Sequence, residues 1–316
     1  MSMSIVCATY DRFGGPDVLA ISGRDIGPLE PGHVRIKVAG AGLNPVDAKL
    51  RSGALDGIFP LSFPVVPGWD VSGIIDAVGS GADATWIGKP VFAYARYDSV
   101  GANGTCAQIC DVPDHMIAEA PEGYDLAALA AVPLVALTAY QSIVVEGGVS
   151  AGQTVLILAG GGAVGHFALQ IAAAKGASVV TTANPRDHAQ LRGKGAAHCI
   201  DYRAQNWPDL AAKYGKFDII LDAVGGESLA QCYGLLAQEG CLIGLNDPPD
   251  ESRLPGGARG VRLFSMPHGE QLSHIAEMLS RGDLKLDDVD ILPLSKIEAA
   301  HARLDTGHKG KMVVQP

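Results

Sequence analysis

Three glycines at one strand-to-helix junction constrain this chain more than any other feature. Gly160, Gly162 and Gly165 follow the apolar run Val155-Leu156-Ile157-Leu158-Ala159 and precede a helical stretch, His166–Lys175. This is a G-x-G-x-x-G pattern in the strand–turn–helix–strand context that it requires. Gly160 permits the tight turn, Gly162 lets the backbone approach a pyrophosphate, and Gly165 lets the helix pack close to its strand. Gly161, Ala163 and Val164 complete the segment. The free N–H groups and partial positive charge of the helix start then favour phosphate. A dinucleotide is the expected ligand, with a Rossmann sheet around it.

The rest of the second half fits that reading. Strands are predicted at Thr154–Ala159, Ser178–Thr182, His198–Ile200, Phe217–Asp222, Gly240–Leu245 and Val261–Phe264, most of them separated by helices. Apolar strands without alternation, joined by helices, imply a parallel sheet covered on both faces. Before about residue 120 the texture differs. Val34–Val38 alternates, Ser72–Gly79 and Pro90–Tyr94 read as strands, and Gly, Pro, Asn and Asp turns lie between them, as in a compact β-rich domain. Asp125 is placed to cap a helix over Leu126–Val132, with a second helix over Val135–Val145. The tail offers one helix, Lys296–Leu304, and a strand, Lys311–Val314. It breaks the βα rhythm and is expected to return to the first domain. The fold class is therefore α/β with two domains. The β-rich one takes residues 1–124 and 266–316, and the inserted dinucleotide-binding one takes residues 125–265.

Charge and cysteines narrow the partners. With 24 basic against 34 acidic residues, the net charge is −10, and such a surface repels nucleic acid and anionic lipid. The apolar run Leu126–Val145 is broken by Pro133 and reads as buried helix, not a membrane span. No signal-peptide pattern opens the chain, and the six cysteines lack framework spacing, so a cytoplasmic setting is expected.

The coenzyme's ribose is read about 20 residues beyond the glycines. Here stand Thr181-Thr182-Ala183-Asn184-Pro185-Arg186-Asp187. With no carboxylate at the strand end, Thr182 and Arg186 suit a 2′-phosphate, and NADPH/NADP+ is the expected coenzyme. The alternative is a solvated Arg186, with Asp187 as the acid that reads NAD.

Other segments carry a resemblance. Asn44-Pro45-Val46-Asp47-Ala48-Lys49, Pro67-Gly68-Trp69-Asp70-Val71-Ser72-Gly73, Leu137-Thr138-Ala139-Tyr140, Asp222-Ala223-Val224-Gly225-Gly226 and Gly310-Lys311-Met312-Val313-Val314 occur in the order found in one family. The chain resembles the zinc-independent quinone oxidoreductase and enone reductase branch of the medium-chain dehydrogenases/reductases. That resemblance implies a GroES-like catalytic domain from both chain ends around a Rossmann domain. It implies hydride transfer from NADPH to a small-molecule quinone or activated carbonyl, with Asn44, Asp47 and Lys49 at the reacting end. Lys49 is the first candidate for oxyanion stabilisation, Asn44 for donating a hydrogen bond, and Asp47 for orienting Lys49 or a ribose hydroxyl. It further implies a coenzyme contact from Thr138. Tyr202 is a candidate for stacking on adenine or touching the 2′-phosphate, and Lys311 for reaching the coenzyme from the tail. Val224, Leu245 and Asn246 lie in loops after Rossmann strands and are expected to border the coenzyme. Homodimers joined through sheet edges are common in the family, which points to Val261–Phe264. Zinc-dependent members carry a Gly-His-Glu triplet where this chain has Gly68-Trp69-Asp70, and Asn44 stands in the region of their cysteine ligand, so no metal is expected. Two rivals stand beside this reading. One is an alcohol dehydrogenase or ketoreductase of the same fold. The other is an NADPH-binding protein with a regulatory or structural role and little turnover.

Overall fold

A run of apolar strands can be buried on both faces only if helices cover both sides, and the second half of the chain is built that way. The computed structural model describes residues Met3–Pro316. Strands in chain order are β1 (Met3–Thr9), β2 (Ala20–Ile26), β3 (His33–Leu43), β4 (Asp70–Val78), β5 (Pro90–Tyr94), β6 (Ile109–Pro113), β7 (Ile117–Glu119), β8 (Thr154–Ile157), β9 (Ser178–Ala183), β10 (Ala196–Asp201), β11 (Phe217–Asp222), β12 (Leu236–Gly244), β13 (Arg259–Arg262), β14 (Val289–Pro293) and β15 (Lys311–Gln315). The α-helices are α1 (Pro45–Arg51), α2 (Pro133–Tyr140), α3 (Ala163–Ala174), α4 (His188–Gly193), α5 (Trp207–Ala212), α6 (Glu227–Cys232), α7 (Gly269–Arg281) and α8 (Ile297–Asp305). The chain divides into two units. Unit 1 holds Met1–Leu134, Pro267–Ser280 and Leu286–Pro316, and unit 2 holds Val135–Met266 and Arg281–Lys285.

Unit 2 is a six-stranded parallel sheet in the order β10-β9-β8-β11-β12-β13. The order reverses beside β8, so the crevice beyond its carboxyl end is the topological switch point where dinucleotides bind. Leu156, Val180, Ile200, Phe217, Ile220 and Leu242 fill one core of this unit. The last strand covers Arg259–Arg262, two residues earlier than the predicted Val261–Phe264. Its exposed terminal arginines give no apolar signal, and the strand forms one edge of the sheet.

Unit 1 is a GroES-like β domain. Its sheet runs β14-β15-β3-β4-β5-β7, with β6 also on β3, and packs Val34, Ile36, Val71, Ile75, Val91 and Val112 together. Strand β15 pairs antiparallel with β3, so the tail joins the sheet of the amino-terminal half.

Three expectations are corrected. The helix over Leu126–Val132 is only a 3-10 turn, Ala128–Ala131, which Asp125 caps at the Ala128 amide (2.9 Å). Pro133 starts a new helix in place of extending the old one. The helix predicted over Val135–Val145 is α2 to Tyr140 and then a π turn, Gln141–Glu146. The tail holds a second helix, α7, beside the expected one; its Leu272, Ile275, Ala276 and Leu279 are buried at helical spacing. The antiparallel β1–β2 hairpin is a further element beyond the expected strands.

Candidate functional site

The glycine turn is built from β8, β9 and the start of α3. Ala159 adopts a left-handed φ of 57°, and Gly162 caps α3, with its amide donating to Ala159 O at 2.9 Å. A Cβ on Gly160 would lie 2.0 Å from Thr181 Oγ1, and one on Gly165 would lie 2.3 Å from Ala159 O. Only glycine fits at either place. These contacts bring the first turn of α3 close to β8, and its amides lie among those that a helix leaves without intrahelical partners. A pyrophosphate suits this cradle by charge and by hydrogen bonding. Gly161, Ala163 and Val164 lie within the same segment.

The two threonines of β9 brace the turn. Thr181 Oγ1 donates to Ile157 O (2.7 Å), and buried Thr182 Oγ1 accepts from the Ala159 amide (3.1 Å). Arg186 is mostly exposed, with Nε 3.8 Å from Asp187 Oδ1. Asp187 is buried, and its Oδ2 lies 3.3 Å from where a Cβ on Gly161 would stand. Tyr202, just after β10, is about half exposed.

Loops after β11 and β12 are laced together. Buried Asp222 accepts from the Val224 and Gly225 amides, both at 2.9 Å, and Asp247 Oδ2 accepts from the Gly226 amide at 2.7 Å. Burial raises the Asp222 pKa, and the two amides pull it back. Asn246 Nδ2 donates to Ala223 O and Val224 O, and the Leu245 amide donates to Asp222 O. Val224 stays half exposed. Thr138 lies on α2 one turn before the π segment, and its carbonyl accepts from Ser142 Oγ at 2.7 Å. His166 is a packing residue. It stacks on Phe167, with Nε2 2.9 Å from Lys285 O and 3.1 Å from Lys194 Nζ. Thus Thr138, the glycine segment, Thr182, Arg186, Tyr202, Val224, Leu245 and Asn246 all belong to unit 2.

In unit 1 a buried polar cluster gathers at the start of α1. Asp47 Oδ2 accepts from the Asn44 amide (2.7 Å) and Oδ1 from the Gly68 amide (3.2 Å). Asn44 Nδ2 donates to Asp70 Oδ2 (2.9 Å), while Asp70 Oδ1 accepts from the Leu134 amide (2.8 Å). Lys311 Nζ donates to Asn44 Oδ1 (2.5 Å) and Leu43 O (3.1 Å), and lies 3.8 Å from Asp70 Oδ2. One mostly buried ammonium thus acts on two buried carboxylates, Asp70 and Asp47. Burial pushes Asp47 up to about 7 and Asp70 up to about 6. It pulls Lys311 down, against the attraction of both acids. Of the two partners expected for Asp47, Lys49 or a ribose hydroxyl, Lys49 does not appear among its hydrogen bonds. The carboxylate ties α1 to the Gly68 loop instead, and Lys49 projects exposed from the helix. Asp70 is a member of this cluster that the motif Gly68-Trp69-Asp70 does not by itself assign to the site. The available signal was an acid beside an apolar residue in Gly68-Trp69-Asp70.

An aromatic group flanks the cluster. Phe59 and Trp69 meet edge to face at 5.6 Å, and Trp69 lies 6.2 Å from Tyr94. Trp69 and Tyr94 are buried in it, and the Tyr97 hydroxyl is tied to Asp111 O.

Two family models match the chain. "Alcohol dehydrogenase GroES-like domain" covers residues 30–122, and "Zinc-binding dehydrogenase" covers residues 194–314. A chloroplastic NADPH-dependent alkenal/one oxidoreductase of Arabidopsis thaliana is 32% identical over 97% of this chain and 78% of its own. A human quinone oxidoreductase is 32% identical over 96% of this chain and 95% of its own. The chain belongs to the quinone oxidoreductase branch of the medium-chain dehydrogenases/reductases. Among solved structures of the superfamily, the quinone oxidoreductase from Coxiella burnetii superposes with a TM-score of 0.86 at 29% identity, over 99% of this chain and 100% of that one. The second model's name invites a test for zinc, and the donors do not suit it. An indole stands between Gly68 and Asp70, and Asp70, Asn44 and an ammonium already satisfy one another. Among the described residues no group of three or more His, Cys, Asp or Glu could hold a metal.

Proposed function

We propose that the chain is an oxidoreductase that uses NADPH to reduce a quinone or an α,β-unsaturated carbonyl, without a metal. The observation that carries the coenzyme is the turn at Gly160–Gly165, where two glycines are held by contacts that no side chain tolerates. Relatives over nearly the whole chain, named for alkenal/one and quinone reduction, support the acceptor class. The glycine segment would hold the pyrophosphate, with Thr182, Arg186 and Tyr202 about the adenosine end. Thr138, Val224, Leu245 and Asn246 would line the rest, and Lys311 is a further candidate contact. Bound NADPH would supply a hydride to the β-carbon of an enone or to a quinone ring.

The residues of unit 1 then serve the oxygen that gains charge. Asp47 fixes the start of α1, and this holds Lys49 on an ordered helix as the cation for that oxygen. Asp70 and Lys311 each take one end of the Asn44 amide, so its orientation is set and one Nδ2 hydrogen remains to donate. The resulting enolate or hydroquinone anion takes its proton from solvent. An activated acceptor suits this site because conjugation spreads the incoming charge and no Lewis acid is required. Six unbridged cysteines suit the cytoplasm, and the edge strand β13 suits a homodimer joined sheet to sheet.

The test is NADPH consumption against a quinone, an enone, a simple ketone, and an alcohol run with NADP+. Turnover is expected for the first two only. Oxidation of the alcohol at comparable kcat/KM would contradict the proposal and favour an alcohol dehydrogenase.

A further inference from the structure

The ribose end of the cradle carries a carboxylate where a 2′-phosphate would want cations. The side chains of β9 are already engaged in the fold. Thr181 Oγ1 donates to a buried carbonyl, and Thr182 Oγ1 accepts from the turn's own amide. Arg186, the nearest guanidinium in the segment, leans outward with two-thirds of its side chain in solvent, and Asp187 lies 3.8 Å from it. Asp187 itself turns inward. Only about a tenth of its side chain is exposed, and its Oδ2 would stand 3.3 Å from a Cβ on Gly161, the nearest atom to it.

We propose that Asp187 sets the coenzyme discrimination of this chain. Its carboxylate opposes a 2′-phosphate and favours a ribose with a free 2′-hydroxyl, so NADPH and NADH are separated only narrowly. Three physical points support this. A carboxylate accepts hydrogen bonds from a ribose diol, the role of the acid in NAD-binding Rossmann turns. It repels a phosphate dianion at short range, the more so where water is partly excluded. It also offsets the charge of Arg186, the group otherwise placed to attract the 2′-phosphate. The inference rests on the coenzyme reading above and adds to it the residue that limits the preference for NADPH.

The test is isothermal titration calorimetry of the full chain with NADPH and with NADH, for wild type, Asp187→Asn and Asp187→Glu. In wild type the two Kd values are expected within about tenfold of each other. Asp187→Asn keeps the size of the side chain and removes its charge. It is expected to tighten NADPH by about tenfold and to weaken NADH, widening the ratio of the two Kd values. Asp187→Glu keeps the charge and is expected to hold the ratio near the wild-type value. If Asp187→Asn weakens both coenzymes equally, or leaves the ratio unchanged, Asp187 only shapes the turn and the inference is overturned. If wild type binds neither coenzyme, the coenzyme reading falls, and this inference with it.

Discussion

The glycine turn of unit 2 and the buried cluster of unit 1 both manage charge, and they do so by opposite means. The turn uses main chain. Its donors are amides at a helix start, and its specificity comes from side chains that are absent at Gly160 and Gly165. The cluster uses side chains that must find one another. Asn44 and Asp47 come from the start of α1, Asp70 from β4 and Lys311 from β15, a strand near the far end of the chain. A backbone device is written in six consecutive residues. A side-chain device exists only once the sheet has brought β15 against β3.

The sharpest way to break the comparison is to give the turn a side chain. In Gly165→Val the new Cβ meets Ala159 O, a backbone atom that cannot swing aside, so α3 must move from β8. Coenzyme affinity is expected to fall by about a hundredfold or more, with overpacking also costing about 1–3 kcal/mol of stability. Calorimetric Kd and urea denaturation read the two effects separately, and unchanged affinity would remove the turn from the coenzyme site.

The cluster is expected to fail through stability instead. Lys311→Met leaves Asp70 and the Asn44 carbonyl without their cation in a buried site, and a loss of about 3 kcal/mol in urea denaturation is expected. A loss within about 0.5 kcal/mol would mean that Lys311 contributes little to the cluster.

Acidity sharpens the same point. Burial raises Asp47 to about 7 and Asp70 to about 6 in the fold. Above the unfolded carboxylate value, the folded chain therefore holds protons that the unfolded chain has released. The contribution of this pair to stability falls as pH rises from about 4 to about 7, and it returns on acidification. Denaturation at about pH 5 and about pH 7.5 is expected to show a smaller drop in Asp47→Asn than in wild type. An identical pH dependence in the two would show that Asp47 does not titrate in this window.

The smallest structural effect belongs to Lys49. It is exposed, so Lys49→Ala is expected to shift stability by less than about 0.5 kcal/mol. Turnover of a quinone is expected to drop about tenfold, the cost of one lost donor to a developing oxyanion. Full turnover in this variant would end the role proposed for Lys49.

These contrasts explain how much was legible before the structure. The parallel sheet, the turn and the return of the tail were readable because each depends on local pattern: apolar runs, a glycine spacing, a break in the βα rhythm. Helix α7 has the same kind of signal at Leu272, Ile275, Ala276 and Leu279, diluted by the polar and charged residues between them. The Leu126–Val132 helix failed because an Ala-rich run predicts helix by propensity, while Pro133 forces a fresh start. Around the site, Asp47 is a candidate from its segment alone, for orienting Lys49 or a ribose hydroxyl, but the hydrogen bonds it makes in the fold are not announced there. Its real partners are two backbone amides, one of them 21 residues away, and no spacing rule announces such a contact. Asp187 shows the same limit. Its place in the sequence leaves it an alternative to Arg186, and the inward turn of its side chain is visible only in the fold.

The central claim is that amides beyond Ala159 receive a dinucleotide. Calorimetric titration of folded wild-type chain with NADPH tests it most directly. A single saturable site that is lost in Gly165→Val is the predicted result. No binding of either NADPH or NADH to well-folded protein would contradict the account.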